Sequence, residues 1–450
     1  MLAQYYEEFI ESLQISNLEE ELIRVKEITK RLNKSFWEID NEEEKHSYVV
    51  GSLGRVTAIK TFSDIDMLFI LPRDLKTKYS NCEGNGQSQL LQAVKKEIKK
   101  RYPNTIVRGD GQVVVVSFES INKTVEVCPV FERSDGAYDY PDSNNGGAWK
   151  KTDPMPELRE SLSLIEETNR QFSYICNLIR AWKNHEGFKF GGLLIDTLVY
   201  NFLDVNKKYK NVTFDNYLSL LKDLFLYLKN RNKEQKYWYA LGSNQKVYNK
   251  KGTFVTKSEK VYKKIKDLTE DSENIYDTMQ EIFGTSFPIP EDETVTASIT
   301  KSYFAQHSIR QTEEYIEKKF EIDIRYSLKI DCLVKQNGFR DKFLRTILRE
   351  RSPLKINKRL EFFVAENEFE NLSEDFNTNE KFHYEVYWKV LNRGEEAIRR
   401  DCIRGQITRD TGRQRKIETS DFKGEHVVEC YIIYKNICVA KDRLKVPISI

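Results

Sequence analysis

The chain has 450 residues, 39% of them hydrophobic and 32% charged, which is enough for two or three domains with buried cores. Lys and Arg total 72 against 70 Asp and Glu, and a net charge of +2 argues against a protein that coats nucleic acid through bulk charge. No apolar run of about 18 residues exists to span a bilayer, and seven scattered cysteines without a CxxC pair exclude a zinc ribbon or a disulfide framework. The acidic start MLAQYYEEFIESLQ lacks the basic-then-apolar pattern of a signal peptide, so a cytoplasmic protein with reduced thiols is expected.

Three composition zones follow one another, with expected boundaries at 1–155, 156–318 and 319–450. The first opens with a helical stretch, LEEELIRVKEITKRLNKSFWE. It continues through the strand-like runs SYVV, DMLFIL, QVVVVSFES and TVEVCPVF, with the loop SNCEGNGQSQ and the lysine-rich amphipathic helix QLLQAVKKEIKKRY among them. The second zone is helical. ELRESLSLIEETNRQFSYICNLIRAWKNHEG carries apolar residues at helical spacing, and GGLLIDTLVYNFL and FDNYLSLLKDLFLYLKN follow it. In the third zone FEIDIRYSLKIDCLV, LEFFVAENEF, HYEVYWKVLN, GEHVVECYIIY and VAKDRLKVPISI are β-branched and aromatic-rich, which predicts a β-rich domain.

The segment that carries chemistry is VVGSLGRVTAIKTFSDIDMLFIL, residues 49–71. An apolar strand meets a Gly51-Ser52 turn, and a polar connection leads into a strand that begins with Asp64 and Asp66. Residues two apart on a strand share a face, so the two carboxylates repel each other unless a cation lies between them. Mg²⁺, which prefers oxygen ligands, suits that place. Gly51 lets the backbone approach a ligand closely, and Ser52 adds a hydroxyl beside exposed N–H groups, a turn suited to the outer phosphates of a nucleotide. A lone DxD is common in solvated turns. Here it runs into MLFIL at the start of a buried strand, where two uncompensated carboxylates would cost several kcal/mol.

A third carboxylate is sought on a neighbouring strand, among Asp110, Glu119 and Glu126. Asp110 lies in a Gly-Asp-Gly turn and Glu119 at the end of a strand, both places for solvated acids. Glu126 lies between valines in TVEVCPV and faces the same open surface as Thr124 and Cys128, so it is chosen. Asp64, Asp66 and Glu126 are therefore the expected catalytic and metal-binding acids. Two Mg²⁺ ions, with Mn²⁺ as the alternative, would serve in-line attack of a ribose hydroxyl on an α-phosphate with pyrophosphate leaving.

These residues have the layout of the polymerase-β-like nucleotidyltransferases. GSLGRVTAIKTFSDIDMLFIL further resembles the signature of the bacterial cGAS/DncV-like nucleotidyltransferases, the SMODS group. Glu126-Val-Cys-Pro129 is similar to that family's acid-x-x-Pro strand, where Asp is usual. Cys176-Asn-Leu-Ile-Arg180-Ala-Trp182-Lys183 resembles a family helix whose basic residue meets the triphosphate, which implies Arg180 and, more weakly, Lys183 as nucleotide contacts beside Gly51 and Ser52. The bland alternative is an amphipathic helix with Trp182 in the core. GGLLID at 191–196 and IFGTSFP at 282–288 look like later landmarks of the family.

The last zone resembles the adenylyl/guanylyl and SMODS C-terminal sensor domain, on YWKVLNRGEEA, IRGQI and GEHVVECY. In such a domain Trp388, Arg393, Arg404 and His426 would suit a pocket that stacks a base and pairs a phosphate, with core packing and loop-ordering salt bridges as the alternative. The resemblance implies an α+β fold: a polymerase-β-like core, a helical second lobe completing the cleft, and a β-rich C-terminal domain. It implies a synthase making a cyclic di- or trinucleotide second messenger from NTPs, ATP among them. A downstream effector would bind that messenger in bacterial anti-phage signalling (CBASS). Neither a membrane nor stable nucleic-acid binding is expected. Two alternatives stay open: a transferase acting on tRNA or other RNA or making linear oligonucleotides, for which the lysine-rich helix at 95–101 (Lys95, Lys96, Lys99, Lys100, Arg101) is the only obvious basic piece, and an inactive nucleotide sensor.

Overall fold

A computed structural model describes residues 2–249, 251–290, 313–336, 338, 340–370, 383–392, 395–400 and 404–449. These residues form two units. One runs to Trp182 and resumes over Phe190–Phe287, and the other takes Lys183–Lys189 with the described residues from Pro288 onward. The class is α+β: the first unit carries most of the helices together with a sheet, and the second is built mainly of strands. Among the described residues no helix is long and apolar enough to cross a membrane.

The first unit opens with helices α1 (Leu2–Leu13) and α2 (Leu18–Phe36), then strand β1 (Ser47–Val49) and the short helical turn α3 (Gly51–Gly54). Strand β2 (Asp64–Ile70), helices α4 (Arg73–Ser80) and α5 (Gly86–Arg101), and strands β3 (Ile106–Asp110), β4 (Val113–Phe118) and β5 (Lys123–Glu132) follow. The sheet order is β1-β2-β5-β4-β3. It is extended beside β5 by β6 (Tyr138–Asp142) and β7 (Ala148–Thr152).

Period-two alternation decides which face of this sheet is dry. Ile65, Met67 and Phe69 of β2, Val125 and Val127 of β5, and Val114 and Val116 of β4 pack with Val25, Ile28 and Leu32 of α2 and Leu90, Leu91, Val94 and Ile98 of α5. The helices seal that face. The residues between them, Asp64, Asp66, Thr124 and Glu126, therefore emerge on the other side.

The helical stretch after residue 155 differs from the single long segment its spacing predicts. It forms α6 (Met155–Glu167) and α7 (Gln171–Glu186), separated where Asn169 and Arg170 take positive φ values of 46° and 71°. Thr168 turns its hydroxyl back onto the Leu164 carbonyl and accepts the Phe172 N–H, which ends one helix and starts the next. Helices α8 (Gly192–Val205) and α9 (Tyr217–Lys229), a two-stranded ribbon of β8 (Tyr237–Tyr239) and β9 (Lys246–Tyr248), and helices α10 (Thr253–Ile265) and α11 (Ile275–Phe283) complete the unit.

In the second unit, one sheet contains β10 (Glu321–Ile322), β15 (Glu385–Leu391), β16 (Ile407–Arg409), β18 (Gly424–Tyr434) and β19 (Ile437–Ser449), with β13 (Leu354–Lys355) on β19. The other contains β11 (Leu328–Lys335), β12 (Lys342–Phe343), β14 (Arg359–Asn367) and β17 (Arg415–Thr419). Ile330, Cys332, Leu360 and Phe362 of the second sheet share a core with Trp388, Val428, Cys430 and Val446 of the first.

Candidate active site

Strands β2 and β5 run parallel, with Asp64 opposite Thr124 and Asp66 opposite Glu126. Asp64, Asp66 and Glu126 thus project from adjacent strands on the face that α2 and α5 leave open. Asp64 accepts a 2.5 Å hydrogen bond from Thr124 Oγ1. Burial, with Asp64 beside it, pushes the Asp66 carboxyl up to about 6, against the opposing pull of Arg55. Burial together with Asp66 and Glu126 pushes the Cys128 thiol up to about 12, so the two carboxylates act on one small volume. This crowded negative charge fits a divalent cation held between oxygen ligands. Among the described residues no group of three or more His, Cys, Asp or Glu side chains is arranged as it stands to hold a metal ion.

The Gly51 turn lies directly against these acids. Gly51 has φ +66°, and a Cβ there would run into the Asp66 carboxylate. The Val50 N–H donates to the Asp66 carbonyl at 2.8 Å, fastening the turn to β2. Ser52 is half-buried, and its carbonyl accepts the N–H groups of Thr57 and Ala58 at 2.9 and 3.1 Å.

What the motif does not disclose is how this turn is held. Val56 takes φ +55°, a strained choice for a β-branched residue. Buried polar side chains of three helices secure the loop around it. From α6, Ser161 Oγ donates to the Arg55 carbonyl at 2.7 Å. From α7, Ser173 Oγ donates to the Val56 carbonyl at 2.5 Å, and Asn177 Nδ2 to the Thr57 and Ala58 carbonyls at 2.9 and 3.0 Å. From α8, Asp196 accepts Arg55 Nε and Thr57 Oγ1, both at 2.9 Å.

Arg180 joins this strap. Its guanidinium pairs with Asp196 at 2.7 Å and donates to Thr57 Oγ1 at 3.1 Å and the Gly192 carbonyl at 3.3 Å. Burial raises the Asp196 carboxyl, and Arg180 and Arg55 more than reverse this, leaving it below the ordinary carboxylate range. The Lys183 ammonium donates to the Ile324 carbonyl at 2.6 Å and lies 3.9 Å from Asp323. Of the expected nucleotide contacts, the structure brings Gly51 against Asp66 with Ser52 next to it in the turn, commits Arg180 to the strap and ties Lys183 into the second unit. Sequence reasoning did not find Arg55, Thr57, Ser173, Asn177 or Asp196 as a set; the available signal was an acid, Asp196, inside the apolar run GGLLIDTLVYNFL.

The four C-terminal candidates separate similarly. Arg393 lies outside the described residues. Trp388 is a core residue, its Nε1 donating to Asp410 at 3.1 Å. Arg404 and His426 do meet, lining a cavity of about 310 Å³ with an apolar wall that includes Leu360, Phe362 and Val446. Arg404 is ion-paired with Glu418, and His426 Nδ1 is 2.9 Å from Asn392 Oδ1.

Two family models match the chain: the Second Messenger Oligonucleotide or Dinucleotide Synthetase (SMODS) domain over residues 1–163, and the Adenylyl/Guanylyl and SMODS C-terminal sensor domain over residues 310–449. Together they take in more than half of it. The chain belongs to the SMODS family, by its synthetase domain and its C-terminal sensor domain. As a SMODS nucleotidyltransferase it is an enzyme, of a group named for making oligonucleotide or dinucleotide second messengers. No curated protein matches it. Among solved structures, CdnC of E. coli MS115-1 with ATP is 17% identical, covering 64% of this chain and 99% of its own, at a TM-score of 0.48. The c-UMP-AMP synthase CdnE of Rhodothermus marinus is 12% identical over 60% of this chain and 100% of its own (TM-score 0.42). Escherichia coli DncV in its 3'-deoxy GTP bound form is 13% identical over 62% and 94% (TM-score 0.43).

Proposed function

We propose that this SMODS enzyme joins NTPs, ATP among them, into a cyclic di- or trinucleotide. The observation that supports this best is the meeting of three elements: Asp64 and Asp66 on one face of β2, Glu126 in register beside Asp66, and a side-chain-free Gly51 turn pressed against Asp66. Asp64, Asp66 and Glu126 would hold Mg²⁺, which when bound neutralises phosphate charge and lowers the pKa of an attacking hydroxyl. Gly51 and Ser52 receive the outer phosphates at the turn. The ribose oxygen forms a bond to the α-phosphorus, the bond to the β-phosphate oxygen breaks, and pyrophosphate leaves. The hydroxyl proton passes to a carboxylate or to water. Arg180 and Asp196 act as positioning residues that keep the turn against the acids.

The RNA-directed alternative gains little from the lysine-rich helix. Lys99 donates to the Pro103 and Thr105 carbonyls, Lys100 pairs with Glu97 and Arg101 with Glu27. The cavity beside Arg404 and His426 is the proposed ligand site of the sensor-like domain. The messenger, its effector and a role in anti-phage signalling belong to the same proposal.

Labelled NTPs incubated with the protein and Mg²⁺, treated with phosphatase and separated, provide the test. Phosphatase-resistant small products support the reading, and tRNA-length or phosphatase-sensitive linear products overturn the cyclic assignment. Asp64→Ala with Asp66→Ala should abolish product formation, and a surviving product refutes the metal-binding role of these acids.

A further inference from the structure

The ribbon of β8 and β9 presents a face that the proposed reaction does not use. Tyr237 pairs with Tyr248, Trp238 with Val247 and Tyr239 with Lys246. Alternation therefore gathers Tyr237, Tyr239, Tyr248 and Lys246 on one side, while Trp238 is buried on the other against Phe254, ring centroids 5.9 Å apart. The tyrosine face is open: Tyr239 is 55% exposed and Tyr248 66%. Tyr237 lies 5.6 Å from Tyr239 and 6.0 Å from Tyr248 between centroids, and Lys246 Nζ is 4.3 Å from the Tyr237 ring centre.

Two further observations bear on what this face would hold. Between Lys229 and Lys257 the sequence has eight Lys or Arg and one acid, Glu234, so the small net charge of the chain conceals a strongly basic stretch. The ribbon is also anchored. Ser243 Oγ and Gln245 Nε2 both donate to Glu157 Oε1 at 3.1 Å, and the Asn249 N–H donates to the Lys236 carbonyl at 2.7 Å. Aromatic rings interleaved with lysines on a fixed backbone offer stacking to bases and charge to phosphates. An acidic peptide would use the charge and leave the rings idle.

We infer that the Tyr237/Tyr239/Tyr248/Lys246 face binds single-stranded nucleic acid, by stacking unpaired bases on the tyrosines while the basic flanks meet the phosphates. This departs from the expectation of no stable nucleic-acid binding and is compatible with a net charge that argues only against coating nucleic acid through bulk charge. It is independent of the reaction proposed for the acids.

The test is fluorescence anisotropy of the full-length protein with labelled oligo-U and oligo-dT of about 20 nucleotides, beginning at about 50 mM salt. Binding of either strand is expected, weakening steeply toward about 200 mM salt. Binding of only one strand assigns which of the two nucleic acids the face prefers. Tyr239→Ala with Tyr248→Ala should weaken binding about tenfold or more, while the Phe pair at both positions should bind like the wild type. Unchanged thermal melting of the exposed-ring variants shows that the fold is retained. The inference is overturned if neither strand binds at low salt, if the Ala pair binds like the wild type, or if the Phe pair fails as badly as the Ala pair. It is also overturned if a poly-Glu peptide displaces the strand as well as unlabelled oligo-U does, or if excess ATP displaces it completely, which would make the face a peptide or mononucleotide site.

Discussion

Gly51 and Asp66 form the tightest side-chain constraint at the site. A methyl on Gly51 meets the Asp66 carboxylate, and φ +66° is disfavoured for any L side chain. Gly51→Ala should therefore lower synthesis about a hundredfold or more, with only a few degrees lost from Tm; near-normal turnover would show that the turn need not touch Asp66. The raised carboxyl of Asp66 also gives a pH dependence with a definite sign. The folded protein holds this proton up to about pH 6, whereas an unperturbed carboxyl releases it near 3.8. Between those values the native state binds more protons than the unfolded chain, so rising pH removes stability. Without metal, wild-type Tm should fall relative to that of Asp66→Asn as pH rises from about 4 to 6, with the difference flat above pH 6. Mg²⁺ binding, followed by calorimetry in buffers of different ionisation enthalpy, should release close to one proton at pH 5 and close to none above pH 7. Proton release that does not vary with pH would remove Asp66 from the ligand set.

At the scale of elements, the Gly51 turn is positioned by helices far along the chain. Asp196 on α8 lies between Arg55 and Arg180, all three buried. Asp196→Ala would leave two guanidinium groups buried without their shared acid, a loss of about 3–5 kcal/mol. Urea unfolding should show the midpoint falling with little change in slope, and Asp196→Asn, which keeps the hydrogen-bond acceptor, should lose less. Equal losses from the two variants would mean that charge pairing is all that matters there. This strap also marks the limit of what could be read from the sequence. Asp64, Asp66 and Glu126 were legible because strand alternation is local: valines at 125 and 127 must face the core, so Glu126 must face away. The C-terminal strands were legible for the same reason. Arg180 was not, because whether a helical arginine meets solvent, substrate or a buried acid depends on what tertiary packing brings opposite it. Nor was the α6–α7 break, where two residues with left-handed backbone interrupt an otherwise helical apolar spacing.

At the scale of the whole molecule, the scattered cysteines distinguish the two units. Cys176 is buried in the first; Cys332, Cys430 and Cys438 are buried in the second, and Cys82 and Cys128 are partly exposed. Burial raises the thiols of Cys176, Cys332, Cys430 and Cys438, which keeps them protonated and slow to react as well as inaccessible. Among the described cysteines, native alkylation followed by peptide mapping should modify Cys82 first, with Cys128 slowed by burial and by the neighbouring carboxylates. The buried four should react only as their surroundings open. Cys332 and Cys430 share one hydrophobic core, and Cys438 lies in the cluster beside it on the strand next to Cys430. Across a urea series these three should become reactive together, with Cys176 following its own midpoint. Cys332 labelling well before Cys430 would show that the two C-terminal sheets do not unfold as one core. Cys176 reacting in the native protein would contradict the buried strap beneath the Gly51 turn, since its neighbour Asn177 supplies two of the bonds that hold the turn.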